Sequence, residues 1–463
     1  MDFDSERQTS ALLMKMASQN SMRQRKGRAG RVQKGRCFRI INETAFEKLP
    51  VNTVPEMLRS PLDNLILQVK AMNLKENCVQ LLSRCPDPPM LSAIEAAIEN
   101  LIKIQALDKS ETLTPLGRHI SYLPCDPSIG KLLIYGSLLG SLFHASSIAA
   151  CITNRSPFQN FSSNEMKPFK EFSKNQFDGN IISDYTVMSA TMLTYNETKN
   201  KRGFCKSYGL SFDRLREISE SQHDLLEGLV SVGFIDSVSD GLRADSPYNQ
   251  NIRSARIVAA VMSAGLYPKV CKILRPPKRF VETLGGNLEK SVEAIELKFY
   301  LPEKNDSFDN KTSTNTLMNE KFKQKNIDIA TEEMTRVFVH PTSVCFSNSS
   351  YNSSNFVIFG DKQLSINTQK ESKVYLRNVS EVGPYALLLF GGKLEAQYLE
   401  GTITIDNWIR FSAPGKIVAM IQLLRKKLDE LLEEKINNTD INIINSKVLD
   451  AACKLLATDG LHT

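Results

Sequence analysis

The chain has 463 residues, 41% hydrophobic and 24% charged, with a formal net charge of +7. Its length suits about three domains, and its mild basicity permits a polyanionic partner without demanding one. No run of 18 apolar residues and no signal peptide is present, so no membrane span is expected, and nine scattered cysteines without a C-x-x-C pair fit reduced thiols better than a disulfide framework or a zinc site.

The first informative stretch is Gln24-Arg25-Lys26-Gly27-Arg28-Ala29-Gly30-Arg31. Ser21-x-x-Gln24 has the form of a capping box, which predicts a helix start there. Spacings of four and three put Gln24, Arg28 and Arg31 on one helical face. Gly27 and Gly30 each cost a helix interior about 1 kcal/mol relative to alanine, which points to a close approach to the backbone. Two guanidiniums and an amide beside a thinned backbone suit phosphate oxygens. From Arg7 to Arg39 there are ten Lys or Arg and no Asp or Glu. A plainer reading of such a run is a solvated face, a nuclear-import signal or a nonspecific nucleic-acid patch.

The stretch resembles motif VI of the DEAH/RHA-type helicases, with flanks Ser18-Gln19-Asn20-Ser21 and Gly35-x-Cys37-Phe38-Arg39 also similar to that family. The resemblance implies that this motif sits on a second RecA-like domain and faces ATP held on the first. Gln24 would help hold the attacking water and the γ-phosphate, and Arg28 and Arg31 would be arginine fingers. The sequence contains no G-x-x-x-x-G-K-[ST] phosphate loop and no Asp-Glu-x-His motif. ATP and Mg2+ would therefore be held mainly by a first RecA-like domain upstream, and the expectation is a fragment whose Met1 is internal to a longer parent.

Residues 1–50 read as a helix, the motif VI helix and a strand over Arg36–Asn42, a remnant of a RecA-like domain. Over 51–124, Pro55-Glu56 opens a helix carrying Leu58, Leu62, Leu65, Ile66 and Val69. A second helix follows Pro89, with Leu91, Ile94, Ala97, Ile98 and Leu101. Leu113-Thr-Pro-Leu-Gly-Arg118 then runs through His119 to Pro124. Three helices and a small hairpin fit a winged helix, which in the family is chiefly a structural hub and elsewhere often binds DNA.

Residues 125–265 read as helical throughout, and Leu132 to Ile148 as a buried helix pair interrupted at Gly136, Ser137, Gly140, Ser141 and His144. Asn154-Arg-Ser-Pro-Phe158, Ser183-Asp184-Tyr185, Phe204-Cys205 and Ile257 to Pro268 resemble the family's helical ratchet (helicase-associated) domain. Thr153, Asn154, Arg155 and Ser156 carry donors suited to RNA phosphate and ribose. The same four residues equally describe a helix C-cap with a restart at Pro157.

From 266 to 412 the pattern alternates. Strands are predicted over Val292–Leu301, Thr335–His340, Ser343–Ser347, Asn355–Gly360, Lys373–Asn378, Ala386–Gly391, Thr402–Asp406 and Trp408–Phe411, a small β-barrel. Val339 to Ser343, Val374 to Arg377 and Pro384 to Gly392 resemble the family's OB-fold, whose stacking residues the sequence does not name. The polar stretch 303–333 reads as a mobile loop inserted in the barrel. Residues 413–463 form a helical extension. Its first helix carries Ile417, Met420, Ile421, Leu424 and Leu428 on one stripe, and a second spans Val448–Leu456.

The fold class expected is thus mixed α and β and multidomain: RecA-like remnant, winged helix, ratchet and OB-fold. The resemblance implies the C-terminal portion of an ATP-dependent RNA helicase that grips single-stranded RNA by its backbone, and that is inactive alone without its nucleotide cradle. It implies a cytoplasmic protein, with a nuclear one as the alternative, and leaves the ribosome or an activating protein open as partners. The competing reading is a non-enzymatic RNA-binding or adaptor module, or a scaffold that never touches RNA. The five histidines (119, 144, 223, 340 and 462) form no i, i+4 metal pair and read as structural or surface residues.

Overall fold

Pro61 breaks the first long apolar stripe. In the computed structural model, Glu56–Leu58 is a short 3-10 turn and the α-helix runs only over Asp63–Ala71. A proline lacks the backbone donor and holds the preceding residue out of helical space, so Ser60-Pro61 divides what the stripe alone joins. The structure describes residues 2–4, 9–11, 16–74, 77–158, 161, 165–179, 181–283, 286–289, 292–302, 334–351, 353–365, 373–397, 401–438, 441 and 446–460. Two compact units result, Met1–Leu101 and Ile102–Thr463.

The first unit opens with an antiparallel pair, β1 (Asp2–Asp4) and β2 (Thr9–Ala11), where a helix was expected. Antiparallel pairing satisfies the backbone of so short a segment locally. Helices α1 (Gln19–Lys26), α2 (Glu43–Glu47), α3 (Asp63–Ala71) and α4 (Cys78–Ser83) follow, and α5 (Leu91–Lys103) begins in this unit. The strand expected over Arg36–Asn42 does not form. A strand needs a neighbour for its backbone groups, and among the described residues none pairs with it. Phe38 and Ile40 accordingly stand fully in solvent. In α5 the buried residues Ile94, Ala97, Ile98 and Leu101 recur at helical spacing.

In the second unit a single bridge, Leu107 to Leu113, makes the small hairpin. Asp108 organises it by accepting hydrogen bonds from the Ser110 and Thr112 amides and hydroxyls. Those bonds, Thr112's hydroxyl foremost, hold its carboxyl down at about 2. The helices are α6 (Pro115–Ser121), α7 (Pro127–Leu138), α8 (Leu142–Thr153), α9 (Lys167–Gln176), α10 (Asp184–Glu197), α11 (Lys201–Tyr208), α12 (Phe212–Ser231), α13 (Val238–Leu242) and α14 (Ala255–Leu266). Helices α7 and α8 are buried on nearly every side, as the apolar run from Leu132 to Ile148 requires. Helix α14 reaches α7 closely enough that a Cβ on Gly265 would stand 2.7 Å from Leu132 Cβ, so only glycine fits that crossing.

A seven-stranded sheet follows in the order β11 (Ser380–Glu381), β8 (Phe356–Ile358), β3 (Val270–Leu274), β6 (Lys298–Pro302), β7 (Met334–Val339), β10 (Lys373–Arg377) and β9 (Asp361–Ser365). All its pairings are antiparallel except β7 with β10. A hairpin pairs β4 (Phe280–Thr283) with β5 (Gly286–Glu289), and a three-stranded sheet joins β12 (Leu394–Gln397), β13 (Thr402–Ile405) and β14 (Ile409–Ser412).

Two strand expectations are corrected. Ser343–Ser347 is a run of turns, its backbone bonded locally by Ser343 N donating to His340 O at 2.9 Å and Phe346 N to Ser343 O at 3.1 Å. Ala386–Gly391 lies in helix α15 (Pro384–Phe390), whose Ala386 to Phe390 are all buried. An unbroken apolar run carries no period, and Pro384 at the first turn with alanine and leucine after it favours helix. The stretch 303–333 lies outside the described residues.

Helices α16 (Gly415–Asn437) and α17 (Lys447–Thr458) close the chain. The stripe of α16 is rotated from the expected one: Val418, Ile421, Leu428 and Leu432 are buried while Met420 is 61% exposed. Arg425 sets the rotation. Its guanidinium donates to the carbonyls of Leu388 (2.7 Å), Gly392 (2.8 Å) and Gly391 (2.9 Å) at the C-terminal end of α15, where a cation is favoured.

His144 lies buried on α8, its Nε2 donating to Ile252 O at 2.8 Å and its Nδ1 without a partner. Burial pushes its pKa down to about 4. The unfolded chain takes the proton near 6.5 and the folded chain only near 4. Stability is therefore full above pH 6.5 and falls as pH drops toward 4, by up to about 3 kcal/mol. Thermal melts between pH 7 and 4 should show this slope, and His144→Gln should flatten it.

Candidate active site

Ser18, almost fully buried, begins the motif VI segment: its hydroxyl caps α1 by accepting from the Ser21 amide at 3.2 Å. The cap is thus Ser18 and not Ser21, and the helix starts two residues before the capping box expected from sequence. The Ser18 side chain answers an amide that no helical carbonyl can reach. The next two residues are clamped to a neighbouring segment, Gln19 N donating to Pro50 O and Asn20 N to Val51 O, both at 3.0 Å. The Gln19 amide adds a bond to Leu49 O at 2.9 Å.

Helix α1 ends at Lys26 with Gly27 as its C-cap. The common helical face expected for Gln24, Arg28 and Arg31 therefore does not form; only Gln24 is helical. Turns carry the chain onward, Arg28 N donating to Arg25 O and Ala29 N to Lys26 O, each at 3.1 Å. Gly30 takes φ +88°, which a side chain disfavours, and a Cβ on Gly35 would stand 2.8 Å from Gly30 N. The two glycines thus fold Arg28 and Arg31 into a loop that closes on its own backbone.

Gln24, Arg28 and Arg31 are all exposed. Among the described residues neither guanidinium has an ion-pair or hydrogen-bond partner, whereas Arg39 rests over the Phe46 ring at 4.4 Å. Two unneutralised forks beside a glycine-shaped backbone fit phosphate oxygens. No group of three or more His, Cys, Asp or Glu able to hold a metal ion occurs among the described residues.

The second candidate, Thr153 to Ser156, ends α8. Thr153 Oγ1 donates to Ala149 O (3.1 Å) and Asn154 Nδ2 to Ala150 O (2.9 Å), so both side chains cap the helix. Arg155 is exposed, and Ser156 O accepts from Arg214 at 2.9 Å. Pro157 and Phe158 are bends, and the next helix among the described residues is α9. Sequence reasoning quoted Asp184 only within a family-like motif and did not single out Arg425, although that arginine interrupts an apolar stripe, four residues after Ile421 and three before Leu428.

Comparison with known proteins places these features. A family model described as the C-terminal domain in RNA helicases matches residues 401–458. One for the oligonucleotide/oligosaccharide-binding (OB)-fold matches 258–394, and one for the winged-helix helicase-associated domain (HA2) matches 97–125. The chain is 32% identical to the ATP-dependent DNA/RNA helicase DHX36 of Homo sapiens over 475 residues, 100% of this chain and 42% of that relative. It is 31% identical to the DExH-box ATP-dependent RNA helicase DExH1 of Arabidopsis thaliana over 462 residues, 98% of this chain and 40% of the relative. The chain belongs to the DEAH-box helicases. Its matched domains are those of the family's C-terminal part, a mixed α and β set with a winged helix and an OB-fold. This DEAH-box chain spans less than half the length of the curated relatives it matches.

The Ser18 cap in this helicase segment is testable by itself. Ser18→Ala should cost about 1 kcal/mol. Hydrogen exchange at the amides of residues 21–26 should then quicken roughly fivefold; unchanged exchange would mean that the clamp to Pro50 and Val51 suffices.

Proposed function

We propose that this chain is the portion of an ATP-dependent RNA helicase that supplies the arginine fingers and holds RNA while hydrolysis proceeds elsewhere. The observation that carries the reading is the unpaired, exposed pair Arg28 and Arg31 on a loop shaped by Gly30 and Gly35. ATP and Mg2+, bound on a first RecA-like domain, supply the phosphoryl chemistry. Arg28 and Arg31 offset the negative charge that develops on the transferred group, and Gln24 orients water through its amide. Arg155, and Ser156 beside it, contact RNA backbone at the end of α8, with Thr153 and Asn154 shaping the turn. The nine free thiols support a reducing compartment, and we place the protein in the cytoplasm.

The non-enzymatic alternative, an RNA-binding or adaptor module, draws on one observation: the chain carries no phosphate-loop motif. One experiment separates the two. The chain alone should hydrolyse ATP at background rate. Joined to the phosphate-loop half of a DEAH-box relative, it should turn over ATP with stimulation by RNA. In that chimaera Arg28→Ala or Arg31→Ala should lower kcat by about a thousandfold and leave RNA affinity within about twofold. A loss of RNA binding with unchanged turnover would support the basic-patch reading.

A further inference from the structure

No residue of α1 is buried, and Met22, its one apolar side chain, is half-buried. Apolar packing, the usual anchor of a helix, therefore contributes little to its orientation. Hydrogen bonds between residues 18–23 and the segment 47–52 hold it instead. Below the backbone bonds from Gln19 and Asn20 to Pro50 and Val51 lies a layer of side chains. Gln19 Nε2 donates to Glu47 O at 3.2 Å as well as to Leu49 O at 2.9 Å, and Asn20 Nδ2 donates to Asn52 Oδ1. Both amides keep an oxygen to offer, and Arg23 takes both. Its Nη2 donates to Gln19 Oε1 at 3.3 Å and its Nη1 to Asn20 Oδ1 at 3.1 Å. Arg23 stands four and three residues on from them, the helical spacing that brings side chains together.

The acceptors around Arg23 are neutral. A carboxylate at position 19 or 20 would hold a guanidinium more tightly, but it would set a negative charge near Arg28 and Arg31 and repel a triphosphate. Amide oxygens fix Arg23 and leave the stretch from Arg7 to Arg39 without a negative side chain. Leverage makes the fixing matter. Helix α1 has eight residues, about 12 Å at about 1.5 Å for each. Gly27 ends it, and the loop bearing Arg28 and Arg31 leaves from that end. A tilt of about 5° at the clamped end moves the far end by about 1 Å, and an error of that size lowers a rate by up to about a hundredfold.

We propose that Gln19, Asn20 and Arg23 are positioning residues for the two motif VI arginines: a brace of neutral amides and one guanidinium that fixes the tilt of α1 against residues 47–52, and with it the reach of Arg28 and Arg31 toward a γ-phosphate. The three act through the helix and not by contact with the nucleotide. The brace rests on the reading of Arg28 and Arg31 as fingers. The opposed reading makes Arg23 one more cation for RNA phosphate. Its bonding favours the brace, because both of its Nη atoms are already engaged within the protein, whereas Arg28 and Arg31 have no partner among the described residues.

The test has two arms. In the chimaera with a relative's phosphate-loop half, at saturating oligouridylate, Gln19→Ala and Arg23→Ala should each lower kcat about tenfold and leave KM for ATP within about twofold, with melting curves showing the same folded fraction. Arg23→Lys, which still donates to an amide oxygen, should fall between Arg23→Ala and the unaltered chimaera. Because the brace acts as a unit, the double variant should lose no more than the worse single one. A kcat that merely tracks the folded fraction, a KM that rises with the loss, or additive losses would overturn the proposal. So would an Arg23→Ala variant that keeps kcat while the slope of log RNA affinity against log salt shrinks by about 0.7, which marks a phosphate contact. If Arg28→Ala and Arg31→Ala lower turnover and the brace variants do not, the brace alone falls; if the finger variants turn over normally, both readings fall. The second arm needs no turnover. In the full chain by itself, Arg23→Ala should quicken hydrogen exchange at the Gln19 and Asn20 amides about fivefold, and unchanged exchange there would overturn the brace.

Discussion

One buried carboxylate fixes the helical and β parts of the larger unit against each other. Asp184, at the first turn of α10, accepts from Ser343 Oγ, Val344 N and Val379 N, each at 2.7 Å. Its own amide donates to Val379 O at 3.0 Å, and Ser183 bridges to Ser380. Burial pushes its pKa up while the three hydrogen bonds pull it down. Removing the carboxylate would leave the buried Val344 and Val379 amides unanswered, at a cost of about 1–3 kcal/mol for each unpaired group. The consequence is positional. Val379 lies two residues past Arg377, so the end of β10 is set by a helix and not only by its neighbouring strands.

Arg425 performs the corresponding service at the other end of the sheet sequence. Burial lowers its pKa to about 10, so it stays charged at neutral pH. Its charge, after burial itself, also helps bring Lys131 down to about 7, and Lys131 donates to Ile104 O at 2.9 Å. Nearby the Tyr267 hydroxyl bonds Asp406, which also accepts from Lys393 N at 2.8 Å. Apolar packing alone would let α16 slide or rotate on α15, since leucines interchange at small cost. Three carbonyls aimed at one guanidinium do not allow it. That specificity is the best-supported reason to keep a charge where hydrophobic residues would pack as stably.

The order of segments was legible because amphipathic periods and turn residues survive without tertiary context. Helix α5 follows its stripe closely, with Ile94, Ala97, Ile98 and Leu101 buried, and α17 covers its expected span. Legibility failed wherever a non-local contact overruled local arithmetic. Helix α15 is buried all round, so its residues carry no period to read. The stripe of α16 turns because Arg425 reaches across to another helix. In motif VI the spacing of Gln24, Arg28 and Arg31 satisfies a helix, yet Gly27 and Gly30 withdraw the propensity the helix needs. The family was readable from short motifs, whereas the sheet's outward face was not, because strand register assembles it from segments far apart in sequence.

The two cationic surfaces are built differently. Arg28 and Arg31 stand on an exposed loop with no ring and no carboxylate beside them among the described residues. No contact among the described residues holds either guanidinium to a resting partner. Arg336 and Lys373 are instead placed over Phe338 on a sheet whose other face is core. Packed between ring and sheet, they keep less side-chain freedom than the two loop arginines.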